Sequence, residues 1–374
     1  MNALRLVVTG VICGTAGCLG IGQPVEEPTS SGTAELAVPS TECDSGDCGN
    51  SNSPEIDNLG VHDFDSTFVG HSTNGFRLAS YTKGGVPYKP VVYQAELTGH
   101  DLRTGDVILK GDVGPTSVVG SQFLVVNGTK EYTITIEQVL HVRYHARPAG
   151  NELFTPTYRV SWIVSRGGVP QGGPWKNICS HPPADDTDTL GMNQFHVVLF
   201  EGDRIDSDAK RVLAVDEDWF NIGCARHALS KQHLNGHTQG ATNTAPSLFI
   251  STLAERTAHL KMLAGDYCGG GVPLTIAGQR LNYRDDHNWM PYATGSPKLE
   301  ARWRDSGAVC LDEPRVLANP SATASAVFPN IEARITTECA AVGRPRPPPC
   351  LGPPNIIPTG IHILSANPVP PPGP

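Results

Sequence analysis

The chain has 374 residues, 17% of them charged, and a formal net charge of −9 at pH 7. That acidic balance, with no Lys/Arg cluster able to neutralise a phosphate backbone, excludes a nucleic-acid surface. The 40 glycines and 32 prolines suit a loop-rich, β-rich exported protein better than a helical bundle.

The N-terminus reads as an export signal. Residues 1–5 carry one positive charge, and residues 6–17 form an h-region of about a dozen residues, too short for a stable membrane anchor. Thr15-Ala16-Gly17-Cys18 then resembles a bacterial lipobox, with Thr15 where leucine is usual. The expectation is a signal peptide over 1–18 and a lipid on Cys18, which anchors the chain to a membrane without a spanning helix. An ordinary signal peptide cleaved nearby, and hence a secreted protein, is the alternative. Eight cysteines remain beyond Cys13 and Cys18: Cys43, Cys48, Cys179, Cys224, Cys268, Cys310, Cys339 and Cys350. An even number and no CxxC pair point to disulfides in an oxidising compartment, with no metal or other cofactor expected.

Residues 19–58 are rich in Pro, Ser, Thr, Glu, Gly and Asn, and read as a disordered tether. Cys43 and Cys48 within it can close a local loop. From 74 to 215 the pattern is mainly period two. Tyr132, Ile134 and Ile136 alternate with polar residues, as do Tyr158, Val160, Trp162 and Val164. Shorter apolar runs at 91–97, 107–110, 123–126, 195–200 and 212–215 add strands, separated by Gly- and Asp-containing breaks. Repeated short strands suggest an antiparallel sandwich or barrel.

A helix is predicted over 222–234, with Cys224, Ala228 and Gln232 on one face and Asn235-Gly236 ending it. A second is predicted from 248 to about 263, ended by Gly265. Residues 274–276 and 281–283 read as a short hairpin, residues 299–303 and 308–311 as two more strands, and the chain is Pro-rich from 343 onward. The predicted fold is α+β and mainly antiparallel β: a sandwich- or barrel-like region over 74–215, then a disulfide-stapled region of two helices and a hairpin over 216–355, then a Pro-rich tail over 356–374.

Candidate chemistry is sparse. Asp266, Tyr267 and Cys268 could be an acid, a phenol and a nucleophile. An oxidising compartment instead makes Cys268 a half-cystine, with Asp266 bonding backbone N–H groups of a Gly-rich turn and Tyr267 in the core. His141 and His145 lie about 13 Å apart on a strand, too far for one metal. His233 and His237 are separated by the helix break, and Asp185, Asp186 and Asp188 read as a solvated loop. No Gly-x-Ser-x-Gly elbow, HExxH, Walker or dinucleotide motif is present. The most varied polar cluster is Asp285-Asp286-His287-Asn288-Trp289, which reads as a hairpin-exit loop or could line a site with Tyr283 and Asp266.

The string Gly265-Asp266-Tyr267-Cys268-Gly269-Gly270-Gly271-Val272-Pro273-Leu274-Thr275, with Gly278, Leu281 and Gly307-Ala308-Val309-Cys310, resembles the ADYC-domain family of secreted bacterial proteins, common in myxobacteria. The resemblance spans about residues 90 to 355, with looser matches at 175–179 and 220–231. It implies export but no particular chemistry. Gly265 stands where the family usually has alanine. Gln232 and His259 stand where it usually has a cysteine in each helix. Paired loss implies that the two positions are neighbours, with Cα atoms within about 7 Å.

Six core cysteines allow fifteen connectivities. The expected set is Cys43–Cys48, Cys179–Cys224, Cys268–Cys310 and Cys339–Cys350. Taken together, these features suggest a structural or binding protein of the cell envelope, anchored as an outer-membrane lipoprotein, with a protein or glycan partner. The alternatives are a hydrolase using carboxylate and histidine chemistry near Asp266, Asp285, Asp286 and His287, and a peptide-binding module with an exposed strand edge or apolar groove.

Overall fold

A computed structural model describes residues 33–34, 54–143, 154–179, 196–225, 227–244, 251–275, 279–285, 298–318, 322–351 and 359–367. Cys18, Cys43, Cys48, His145, Asp185, Asp186, Asp188, Asp286 and His287 lie outside the described residues.

Among the described residues antiparallel strands predominate over helices. Ten strands form the path of one large sheet: β1 (Asp63–Asp65), β2 (Arg77–Lys83), β3 (Val86–Tyr93), β4 (Glu96–Asp101), β5 (Val107–Leu109), β6 (Gln122–Asn127), β7 (Lys130–Arg143), β8 (Phe154–Arg166), β9 (His196–Asp206) and β10 (Arg211–Cys224). Their spatial order is β1-β10-β9-β8-β7-β6-β2-β3-β4-β5, and two short segments, Val169–Pro170 and Lys176–Asn177, pair onto β8. β3 and β4 also pack against β9, and β1 against β2, so the sheet curls around its own core.

The alternating residues occupy that core. Tyr132, Ile134 and Ile136 of β7 face Tyr158, Val160 and Trp162 of β8, while Val164 is 48% exposed. A bulge between Ile136 and Gln138 shifts the register by one, and Val139 then points inward. The apolar run 91–97 is not one strand. It turns at Gln94 and Ala95, both in the left-handed region (φ 52° and 61°), and separates β3 from β4. Glu201 of β9 holds this turn by accepting the Gln94 N–H at 2.7 Å and the Ala95 N–H at 3.2 Å.

β9 is buried on both faces, which is why residues 195–200 read as an unbroken apolar run. Val197 and Leu199 enter the core of the large sheet; Val198 and Phe200 enter a second core. The second core is built from α1 (Ala228–Leu234), α3 (Leu253–Ala264), α4 (Ile331–Ala341), Val316 of the short helix Arg315–Ala318 and a smaller sheet, while α2 (Gln239–Thr244) packs against β9. The smaller sheet has the order β11-β14-β12-β13, with β11 at Asn282–Asp285, β12 at Lys298–Arg304, β13 at Gly307–Leu311 and β14 at Ile363–Asn367.

α3 stops where expected but starts at Leu253, not at 248. Thr252 and Glu255 form a reciprocal capping box, and Gly265 closes the helix at φ 62°. α1 is shorter than predicted. Cys224 ends β10 opposite Val197 rather than sharing a helix face with Ala228 and Gln232, because residues 219–224 are a strand buried on both faces. Gln232 donates to the Arg256 carbonyl of α3 at 2.9 Å, and Asn235 Nδ2 lies 3.4 Å from His259 Nε2.

Four further expectations need correction. In place of the expected hairpin of 274–276 and 281–283, residues 274 and 275 lie in no strand, and β11 pairs with β14, some 80 residues later in the chain. The Pro-rich tail is not wholly irregular, because β14 lies between β11 and β12 with all five residues buried. The tether ends before residue 58, since Ile56 pairs with Leu59 in a small hairpin and sits in the first core. Two disulfides are exchanged relative to the expected set. Cys179 bonds Cys224 as expected, but Cys268 bonds Cys339 and Cys310 bonds Cys350. Cys339 shares the buried stripe of α4 with Ile331 and Ile335, which faces Cys268. Cys350 lies beside β13, whose Leu311 N–H donates to the Pro348 carbonyl.

Candidate functional site

The Gly-rich motif follows directly on α3, and each of its side chains has a structural partner. Asp266 is buried and accepts from Lys261 Nζ at 2.8 Å and from the Gly271 N–H at 2.9 Å. The same ammonium reaches the Ala209 carbonyl at 2.9 Å and the Gly269 carbonyl at 3.2 Å, which ties the motif to the β9–β10 turn. Tyr267 stacks on Trp303 and donates to Glu300 Oε1 at 2.6 Å; Glu300 in turn takes Arg315 Nε at 2.8 Å. Burial, reinforced by the Glu300 carboxylate, pushes the Tyr267 phenol well above its ordinary pKa, so it stays a donor. Cys268 is a half-cystine and has no thiolate to offer.

The glycines serve close approach. A Cβ on Gly269 would fall 1.9 Å from the Ser306 carbonyl oxygen, and one on Gly271 1.9 Å from that of Asp208. Backbone meets backbone at both points, so the motif is the joint between α3, the β9–β10 turn and the β12–β13 turn. Tyr267→Phe should cost about 1–3 kcal/mol, because it leaves Glu300 and Arg315 short of a buried partner. Denaturant unfolding checks this, and a variant as stable as the parent would contradict the assigned role.

A second polar cluster lies between α1, α3 and β11. Asp285 Oδ2 is 3.2 Å from His237 Nε2, and the His237 ring stacks on His259 with centroids 4.0 Å apart. Tyr283 meets His259 edge-on at 5.2 Å. Burial, with the His237 ring beside it, lowers the His259 pKa well below the usual range; burial and then Asp285 raise that of Tyr283. His259 Nδ1 and the Tyr283 hydroxyl have no hydrogen-bond partner among the described residues. A carboxylate, two imidazoles and a phenol are the groups of acid–base chemistry. Here all four are at most 2% exposed, and the stacked rings leave no space between them for a substrate.

Of the residues expected to form a site, the structure brings Tyr283 and Asp285 together, whereas Asp266 is engaged by Lys261 and Gly271. Sequence reasoning missed His237 and His259 as their neighbours, and Lys261, Glu300 and Arg315 as partners of the motif. His259 carried one signal, the resemblance that set it at an expected cysteine position. His237 carried none, because its partner is 48 residues away. Among the described residues no group of three or more His, Cys, Asp or Glu side chains could hold a metal ion.

Fold and motif define a disulfide-stapled, mainly antiparallel α+β protein built around a buried Gly-Asp-Tyr-Cys joint. The family model of the ADYC domain matches residues 115–317, more than half of the chain, and the chain belongs to the ADYC-domain family. Comparison with curated proteins and with solved structures finds no match.

Proposed function

We propose that this protein is an exported lipoprotein of the cell envelope, anchored through Cys18, whose folded part binds or scaffolds rather than catalyses. The observation that carries the non-catalytic reading is the motif itself: Asp266, Tyr267 and Cys268 are each buried in an ion pair, a hydrogen bond or a disulfide. Export is supported by three disulfides among the described residues, which mark an oxidising compartment. No described helix is long and apolar enough to cross a membrane. The lipid reading rests on Thr15-Ala16-Gly17-Cys18, with an outer-membrane location as its finer form. In this reading residues 19 to about 53 are the tether, and the two cores, which share β9, act as one presented unit.

Metabolic labelling with an alkynyl fatty acid tests the anchor. The parent should take up label and Cys18→Ser should not. An unlabelled parent, or label retained by the variant, would contradict the proposal. The hydrolase alternative gains one observation, the Asp285–His237 contact at 3.2 Å, but the closed stack beside it favours a structural role.

A further inference from the structure

Residues 344–351 follow α4 and Gly343 and belong to no helix or strand. Their sequence is Arg344-Pro345-Arg346-Pro347-Pro348-Pro349-Cys350-Leu351. Four of these residues are prolines, which hold φ near −65°, and four residues precede a proline, which excludes the helical region for them. Among the described residues there is no cis peptide bond, and none of residues 344–351 has a positive φ. Together these constraints favour polyproline II over residues 344–349, with three residues per turn.

Burial is uneven along the segment. Pro347 is buried and Cys350 half-buried, on the face toward the body of the protein. Pro345, Pro348, Pro349 and Leu351 are exposed, Leu351 to 83%. Pro345 and Pro348, three residues apart, form an apolar ridge with its members about 9 Å apart. The ridge is held rigidly from beneath: Cys350 is bonded to Cys310, the Pro348 carbonyl accepts the Leu311 N–H at 2.9 Å, and the Cys350 N–H donates to Asp312 at 2.6 Å. Arg346 is paired with Glu332 at 2.6 Å. Arg344 differs: its guanidinium donates to the backbone carbonyls of Cys268 and Ser306, and it is exposed with no carboxylate partner among the described residues.

We infer that this segment is a docking ridge for a protein domain with an aromatic-lined groove that reads polyproline II, with a carboxylate beside the groove to meet Arg344. Such grooves take proline rings from one side of the helix and gain from a ligand that is already ordered. Here the disulfide and the β13 contacts supply that order before binding, so the association loses little conformational entropy. The inference names the partner class for the binding reading above and rests on it, but not on the lipid anchor.

The test uses the full chain with a photo-cross-linking residue in place of the half-exposed Val342, next to the ridge, in detergent-solubilised envelopes of the cells that make it. A protein adduct is expected. It should fall at least tenfold with excess Arg-Pro-Arg-Pro-Pro-Pro peptide, stay constant with an alanine-substituted control peptide, and be lost in a Pro345→Ala/Pro348→Ala variant whose melting temperature is unchanged. The peptide arm needs no variant and so does not depend on folding. No protein adduct, an adduct to lipid or glycan, or an adduct that neither peptide nor substitution reduces would overturn the inference. Those outcomes leave the fatty-acid labelling result untouched, so failure of the ridge and failure of the anchor are read separately.

Discussion

Gly271→Ala is expected to destabilise the protein by about 3–5 kcal/mol, in the range reserved for changes that force backbone to move. Two causes act together. Gly271 has φ +88°, where an L side chain is strained, and the added Cβ would lie 1.9 Å from the Asp208 carbonyl oxygen. No flexible side chain can yield there, because the obstacle is the backbone of the β9–β10 turn. The Gly271 N–H also donates to Asp266, which balances the buried Lys261, so moving the loop disturbs that ion pair. Gly120→Ala is the control. Its φ is +82° but nothing lies within 4 Å of the new Cβ, so only the conformational cost of roughly 1 kcal/mol applies. Urea unfolding of both variants with the disulfides intact gives the comparison. A Gly271→Ala loss no larger than that of the control would refute the close-packed joint.

The second large effect is acid lability between about pH 6 and pH 4. Burial lowers the pKa of His227 to about 4 and of His233 to about 3, and lowers that of His259 well below 6.5. All three are neutral in the fold, whereas in the unfolded chain they take up protons near 6.5. The unfolded state therefore binds more protons below that pH, and stability falls as pH drops from 6.5 toward the folded-state values. At pH 5 each contributes a loss of about 2 kcal/mol, so three approach the whole stability of a typical domain. Burial raises the pKa of Asp63 and Asp203, and those two groups recover some stability on acidification. The expected net result is a steep fall in melting temperature from pH 7 to pH 5, followed by circular dichroism. A melting temperature flat across that range would show that the histidines are not buried neutral.

Strand alternation, the helix α3 and its end at Gly265 were legible in the sequence, because each rests on residues within one turn or one pleat of each other, whereas the Thr252 cap that starts the helix was overlooked. Residues 195–200 were legible as a strand but not as the element shared by two cores, since an unbroken apolar run does not say what covers either face. The Gln94-Ala95 turn was hidden for a different reason. Neither residue prefers the left-handed region, and the Glu201 carboxylate that stabilises the turn comes from a strand more than 100 residues away. The exchanged disulfides and the β11–β14 pairing failed likewise: expecting the nearest sequence partner assumes that short loops close first, and folding overrode it through the buried face of α4 and the central place of β14.

The amino-acid sequence alone determined the class of this protein: an exported composition, an even set of cysteines, period-two strands, and a Gly-Asp-Tyr-Cys string that marks its family. These are local or compositional properties and need no knowledge of contacts. Only the tertiary structure decided what that string does. The partners of Asp266, Tyr267 and Cys268 include Glu300, Arg315 and Cys339, brought together by a core assembled from distant segments. It also decided that Tyr283 and Asp285 meet two histidines in a closed stack, and that a Pro-rich stretch is a braced ridge. Long-range packing sets each of these, and no local pattern encodes it.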